Sequence, residues 1–271
     1  MLQLNPDTLS SLNWQLKTKA RSLGFGRRLY YLNEPGPYWL KTQLADSSSS
    51  VWQQVQQGFQ HELEFYRAYQ HAGLQCLLPA WIIQQPVKIA HETFQQALIL
   101  PDFPAYFDGT PETLSILEIQ QYLLRVLEPL IELQELGYFH ADLKREHFVH
   151  DQGRVYLIDF EQVHSLSESV IKEMNATPRY MAPELFHGKP KSLQSEVYAL
   201  GIIFYEWLSG QRLQAANYED WAYIHCQRFK LELPTGLKAF QKLLEGMLCR
   251  QQQNRLADFK VVKYSLMTEI E

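Results

Sequence analysis

The chain has little cysteine. Its three residues, Cys76, Cys226 and Cys249, are scattered through 271 positions and match no metal-ligand spacing. An odd, dispersed set argues against a disulfide framework or structural zinc motif and fits thiols in a reducing compartment. Excess positive charge is also missing: 25 Lys and Arg face 30 Asp and Glu, a formal net charge of -5. No basic field therefore marks nucleic acid or an anionic membrane as the main partner. The longest apolar run, Val197 to Tyr205, falls far short of the roughly 20 residues that span a bilayer. The opening MLQLNPDT has neither a basic region nor an apolar core of the secretory kind. Repeats, low-complexity tracts and separating linkers are absent. The expectation is a soluble, cytoplasmic protein with no nucleic-acid partner and no membrane span. At 46% hydrophobic and 20% charged residues, it has ample material for one packed core in one two-lobed domain or two small ones.

What is present is concentrated in His140 to Glu161, HADLKREHFVHDQGRVYLIDFE. Phe148 to His150 and Val155 to Ile158 read as short strands, with Asp151-Gln152-Gly153 as the turn. Pairing about that turn sets His147 opposite Leu157 and puts His147, Leu157 and Asp159 on one face. Asp142 lies just upstream. Two acids and a histidine so placed suit the holding of a metal and the activation of an attacking oxygen.

HADLK followed by IDFE resembles the catalytic loop and metal-binding triplet of the protein kinase-like superfamily, H-R-D-L-x-x-x-N and D-F-G. Thr177 to Glu184, TPRYMAPE, resembles the end of a protein kinase activation segment. The resemblance covers about Gly24 to Arg255. It implies an α+β, two-lobed fold: an antiparallel-sheet N-lobe with one long helix over residues 1–102, and a larger, mainly helical C-lobe over 103–271. It also implies an ATP-dependent phosphotransferase whose nucleotide phosphates lie between the lobes, with Mg²⁺ or Mn²⁺ as cofactor. Asp142 would be the base or aligner of the acceptor hydroxyl, Lys144 would sit near the γ-phosphate, and Asp159 would chelate the metal. Lys144 together with Thr177 is the serine/threonine pattern. Glu184 and Arg255 resemble the family's structural ion pair.

The first hundred residues read as follows. Residues 1–20 suggest a short helix or strand. Arg21 to Lys41 alternates like two strands around Asn33-Glu34-Pro35-Gly36-Pro37. Gly24 and Gly26 stand where the resemblance places a phosphate-covering loop, but G-x-G-x-x-G is incomplete, so they serve either phosphate amides or a plain bend. Tyr38 to Lys41 resembles the V-A-I-K strand, which makes Lys41 the contact to the α- and β-phosphates. Ser50 and Gln53 suggest a capping box for a helix to about His71, on which Val51, Val55, Phe59, Leu63, Tyr66 and Tyr69 share one arc. Glu62 points into that arc. A buried carboxylate needs a partner, and Lys41 is the candidate unless Glu62 reaches solvent at the helix edge. Glu64 belongs to the solvated face. Ala97 to Leu100 is a buried strand, and Pro101 to Pro104 matches the hinge that reads adenine.

Further helices are expected over Leu114 to Leu136, over Ser192 to Gly210, and within Pro234 to Cys249 and Ala257 to Thr268. The first has a kink or break before Pro129, and the second is apolar on nearly all sides. Four departures from the family pattern stand out. Ala141 replaces the arginine of H-R-D, which predicts activity independent of activation-loop phosphorylation unless another cation takes its place. Glu161 replaces the glycine of D-F-G, and Glu196 stands where an aspartate is usual. His147 replaces the metal-binding asparagine, either as a Mn²⁺-tolerant ligand or as a structural histidine bonding Asp142 or a backbone carbonyl. Three activities fit: a serine/threonine protein kinase, a kinase of a sugar or other small molecule similar to bacterial lipopolysaccharide core kinases, or a pseudokinase that binds nucleotide or a partner without transfer.

Overall fold

The computed structural model describes residues 6–44, 50–167, 176–268 and 270. The chain forms two compact units: Met1–Phe103 with Asp159–Glu161, and Pro104–Ile158 with Gln162–Glu271. The first is sheet-rich and the second mainly helical, an α+β organisation as expected. The three residues Asp159–Glu161 pack with the first unit, although both neighbouring segments belong to the second.

In the first unit, α1 (Pro6–Ser11) leads to β1 (Gln15–Leu16), α2 (Ala20–Leu23), β2 (Arg27–Leu32) and β3 (Tyr38–Gln43). There follow α3 (Ser50–Tyr69), β4 (Trp81–Ile83), β5 (Val87–Ile89), β6 (Glu92–Phe94) and β7 (Ala97–Pro101). The five-stranded sheet runs β1-β2-β3-β7-β4, every pair antiparallel, and β5-β6 forms a separate hairpin. Leu29 lies opposite Lys41, which in turn lies opposite Leu98. Period-two alternation sends Tyr30, Leu32, Leu40 and Ile99 into a core shared with Leu9, Ile89 and Phe94. Each fully buried Leu or Phe contributes about 1.5–3 kcal/mol of hydrophobic stabilisation. On α3 the arc Phe59, Leu63 and Tyr66 is buried, whereas Val51 at the first turn is exposed. Ser50 already belongs to that helix; of the expected polar loop before it, residues 46–49 lie outside the described residues.

The second unit begins with α4 (Ile116–Glu135), then β8 (Tyr138–Phe139), β9 (Phe148–Asp151), β10 (Arg154–Leu157) and β11 (His164–Ser165). It continues with α5 (Pro183–Phe186), α6 (Leu193–Ser209), α7 (Tyr218–Tyr223), α8 (Gln241–Met247) and α9 (Phe259–Thr268). Ser115 caps α4 through a capping box with Glu118. Pro129 lies inside one continuous helix, so of the expected kink or break the break does not occur. Proline removes one rung of the ladder, and the buried stripe of Val126, Leu127, Leu130 and Leu133 carries the helix across the gap. Every residue of α6 from Ser195 to Leu208 is buried, which makes it the central post of the unit.

The β9–β10 hairpin corrects one expectation. Gln152 (φ +47°) and Gly153 (φ +82°) alone make the turn, and Asp151 pairs with Arg154. A two-residue turn with both φ positive matches the strand twist. It moves the register by one residue from the expected one, so that Leu157 lies opposite Phe148 and not His147. His147 sits instead in the 3-10 turn Arg145–His147, and Asp159 leaves strand geometry altogether at φ +68°. The shared face argued from strand parity therefore does not exist.

Candidate active site

Lys41 projects from the middle of the first unit's sheet. Its Nζ lies 2.6 Å from Glu62 Oε2, 2.9 Å from Asp159 Oδ1 and 2.7 Å from Glu161 Oε1. Glu62 on α3 is fully buried, as expected of a carboxylate turned toward the helix's apolar arc. Its second oxygen accepts the Phe160 N–H at 3.0 Å. The Phe160 ring explains why Asp159–Glu161 packs here: it stacks on Phe65 at 4.9 Å and meets Tyr66 edge-on at 5.7 Å. Glu161 also pairs with Arg27 at the start of β2, and its carbonyl lies 3.2 Å from His61 Nδ1. The cluster thus holds three carboxylates against two cations.

Burial alone would lower the Lys41 pKa, but the carboxylates of Asp159, Glu161 and Glu62 outweigh it and hold the ammonium well above its ordinary value. Burial pushes Glu62 up, with Lys41 opposing and Asp159 and Glu161 adding to the rise. Those two tendencies conflict. The charge-assisted bond from Lys41 and the amide bond from Phe160 favour an ionised Glu62 paired with an ammonium. Among the described residues, Glu62, Asp159 and Glu161 form a group whose ligand oxygens all lie within 4.8 Å of one another. An all-oxygen set of this kind fits Mg²⁺ or Mn²⁺, and the adjacent ammonium fits a phosphate.

Gly24 and Gly26 lie between β1 and β2, after the short helix α2. The Phe25 amide donates to the Ser22 carbonyl and the Gly26 amide to that of Leu23, at 3.2 and 3.0 Å. Gly26 has φ +77°, and a β-carbon there would lie 2.1 Å from the Trp52 ring. What Gly26 supplies is a close turn against Trp52, with its own amide and that of Phe25 directed inward.

In the second unit, Asp142 holds Lys144 Nζ at 2.7 Å through Oδ2 and accepts from Thr177 Oγ1 at 3.1 Å through Oδ1. Glu196 accepts the His140 N–H at 3.2 Å and also bonds the Ala141 amide. Burial pushes its carboxyl up to about 8 against the pull of Lys191 and those amides. His140 Nε2 lies 3.0 Å from the Ile158 carbonyl. His147 is buried with its ring 5.3 Å from that of His140. Arg255 grips Glu184 through two bonds of 2.7 and 2.9 Å, both side chains buried.

The sequence matches the protein kinase domain family over residues 40–267. The chain belongs to that family. It is similar to the human serine/threonine-protein kinase PAK 4, 28% identical over 220 residues that make up 77% of this chain and 36% of that protein. It is 30% identical over 146 residues to the serine/threonine-protein kinase AtPK2/AtPK19 of Arabidopsis thaliana, covering 50% of this chain and 29% of that one. A probable serine/threonine-protein kinase PknB of Lactococcus lactis is 32% identical over 98 residues, 35% of this chain and 16% of the other. The chain thus spans about a third or less of the length of these curated relatives.

Within this kinase domain, sequence reasoning missed two residues. Arg27 stands in an ordinary Arg-Arg pair, and only the acid at position 161 hints that it needs a partner. Lys191 lies in a polar GKPKS stretch with no outward signal, yet its Nζ donates to the Ala141 carbonyl at 2.5 Å. It places a cation beside the catalytic-loop position where alanine stands for the family's arginine. Burial lowers the Lys191 pKa, with Asp142 and Glu196 opposing the fall. No described helix is long and apolar enough to cross a membrane.

Proposed function

We propose that the chain is an ATP-dependent serine/threonine protein kinase domain. Phosphoryl transfer asks for positioned charge more than for covalent chemistry. In this reading Lys41 holds the α- and β-phosphates, and Glu62 holds Lys41. Asp159 would be the principal metal ligand, and a divalent cation held there would supply neutralisation of charge on the phosphate oxygens. Asp142 accepts or aligns the acceptor's hydroxyl proton, and Lys144 steadies the transferred group. His147, buried with its ring 5.3 Å from that of His140, is read either as a further metal ligand or as a structural histidine. The observation that carries the reading is the pairing of Lys41 with both Glu62 and Asp159, at 2.6 and 2.9 Å. Thr177 on Asp142 at 3.1 Å supports an acceptor bearing a serine or threonine hydroxyl.

A small-molecule acceptor is the second reading, favoured by the acid at Glu161, which engages both Lys41 and Arg27. One experiment separates the two. With labelled ATP and Mg²⁺ or Mn²⁺, label should pass to the protein itself or to a generic Ser/Thr substrate. Asp142→Asn should lower that rate by about 10²–10⁴-fold. Label found only on glycans or metabolites would favour the second reading. Intact nucleotide binding with no transfer to any acceptor would leave a pseudokinase.

A further inference from the structure

Ala141 adopts a left-handed backbone, φ +64°, immediately before Asp142. That conformation crowds the β-carbon of any residue but glycine and persists only where neighbours over-determine it. Two groups do so, Glu196 buried and Lys191 half-buried. Glu196 takes the backbone amides on one side, the His140 N–H at 3.2 Å and that of Ala141. Lys191 takes the carbonyl end, with Nζ on the Ala141 carbonyl at 2.5 Å. Lys191, Glu196, Asp142 and Thr177 all line one small cavity beside this loop. Lysine is seldom drawn in from solvent, because its ammonium loses hydration, so this one is expected to secure something worth that cost.

We propose that Lys191 is a positioning residue for phosphoryl transfer. Its ammonium holds the Ala141 carbonyl, fixes the strained residue at its carbonyl end while Glu196 holds the amide end, and so sets the direction of the Asp142 carboxylate. The inference rests on the reading of Asp142 as the group that aligns the acceptor. It assigns to the segment before α6 a cation that the His140-Ala141-Asp142 sequence lacks. Because that cation is engaged within the fold, the assignment is compatible with activity independent of activation-segment phosphorylation.

The test is a double-variant cycle between Lys191→Met and Ala141→Gly. Lys191→Met should lower kcat by about 10–100-fold, the scale of a misaligned catalytic group, while KM for ATP moves by less than about threefold. Lys191→Arg, which keeps the cation, should restore most of the loss. Ala141→Gly removes the strain that Lys191 restrains. It should therefore recover much of kcat in the Lys191→Met protein and raise its Tm more than it raises that of the wild type. A kcat within twofold of wild type in Lys191→Met, or equal Tm increments in both backgrounds, would overturn the proposal. A wild-type protein that transfers no phosphate refutes the kinase reading instead, and the Tm comparison still decides Lys191. Should Lys191→Met alone not fold, the double variant should; an equally unfolded double variant also overturns the assignment.

Discussion

His225 shows what a single buried side chain implies for the second unit. Its ring stacks on Phe186 and Trp221, and Nδ1 lies 3.0 Å from the Tyr198 hydroxyl. Burial holds its pKa down to about 4. A group whose folded pKa lies below its unfolded value contributes stability in full above the unfolded value, near 6.5. That stability is lost as pH falls through about 4, because the unfolded chain takes the proton first. The effect reaches on the order of 3 kcal/mol at its acidic limit. Denaturant midpoints measured from pH 7.5 to pH 4 should therefore fall less steeply for His225→Gln than for wild type, and parallel slopes would remove His225 as the cause. Sequence could not foresee this role, since nothing around His225 announces aromatic neighbours that come from α5 and α7. The convergence of Lys41, Glu62 and Asp159 was legible because motif spacing and helix period bear on it directly. His147 was misplaced because a one-residue change of turn length reverses strand parity.

At the scale of elements, β3, α3 and the Asp159–Glu161 segment converge on one ammonium. Lys41 meets three carboxylates, so in the proposed reading a phosphate displaces one of them. Glu62 is held by the Phe160 amide and Asp159 is the proposed metal ligand, whereas Glu161 retains Arg27 after leaving Lys41. Glu161 thus competes with phosphate when no divalent cation is present. Glu161→Gln should bind ADP in EDTA about tenfold more tightly than wild type, the scale of one charge contact. Fluorescence titration would show it, and an unchanged metal-free affinity would contradict the competition. Element boundaries were readable where caps mark them, as at Ser192 and Gly210 around α6. The continuity of α4 through Pro129 was not, because tertiary packing overrides the local breaker.

At the scale of the whole molecule, the residues proposed to bind and catalyse belong to two units with different supports. The first rests on the antiparallel sheet and the Phe160 anchor, the second on α6, buried from Ser195 to Leu208, and the Glu184–Arg255 pair. Arg255 also lies 4.9 Å above the Tyr198 ring. Arg255→Met would leave Glu184 buried without its partner and should destabilise the protein by about 3–5 kcal/mol, read as a lower Tm. The α+β character followed from the family resemblance carried by His140 to Glu161 and Thr177 to Glu184. The attachment of Asp159–Glu161 to the first unit did not, because it depends on Phe160 finding Phe65 and Tyr66, a contact between segments about a hundred residues apart.

Calorimetric titration of a non-hydrolysable ATP analogue with Mg²⁺ into wild type, Lys41→Met and Asp159→Asn tests the central claim most directly. The account predicts binding by the wild type, a loss of at least about tenfold in each variant, and for Asp159→Asn an affinity that EDTA no longer changes. Equal binding by Asp159→Asn and wild type in Mg²⁺, or no binding by the wild type, would contradict it.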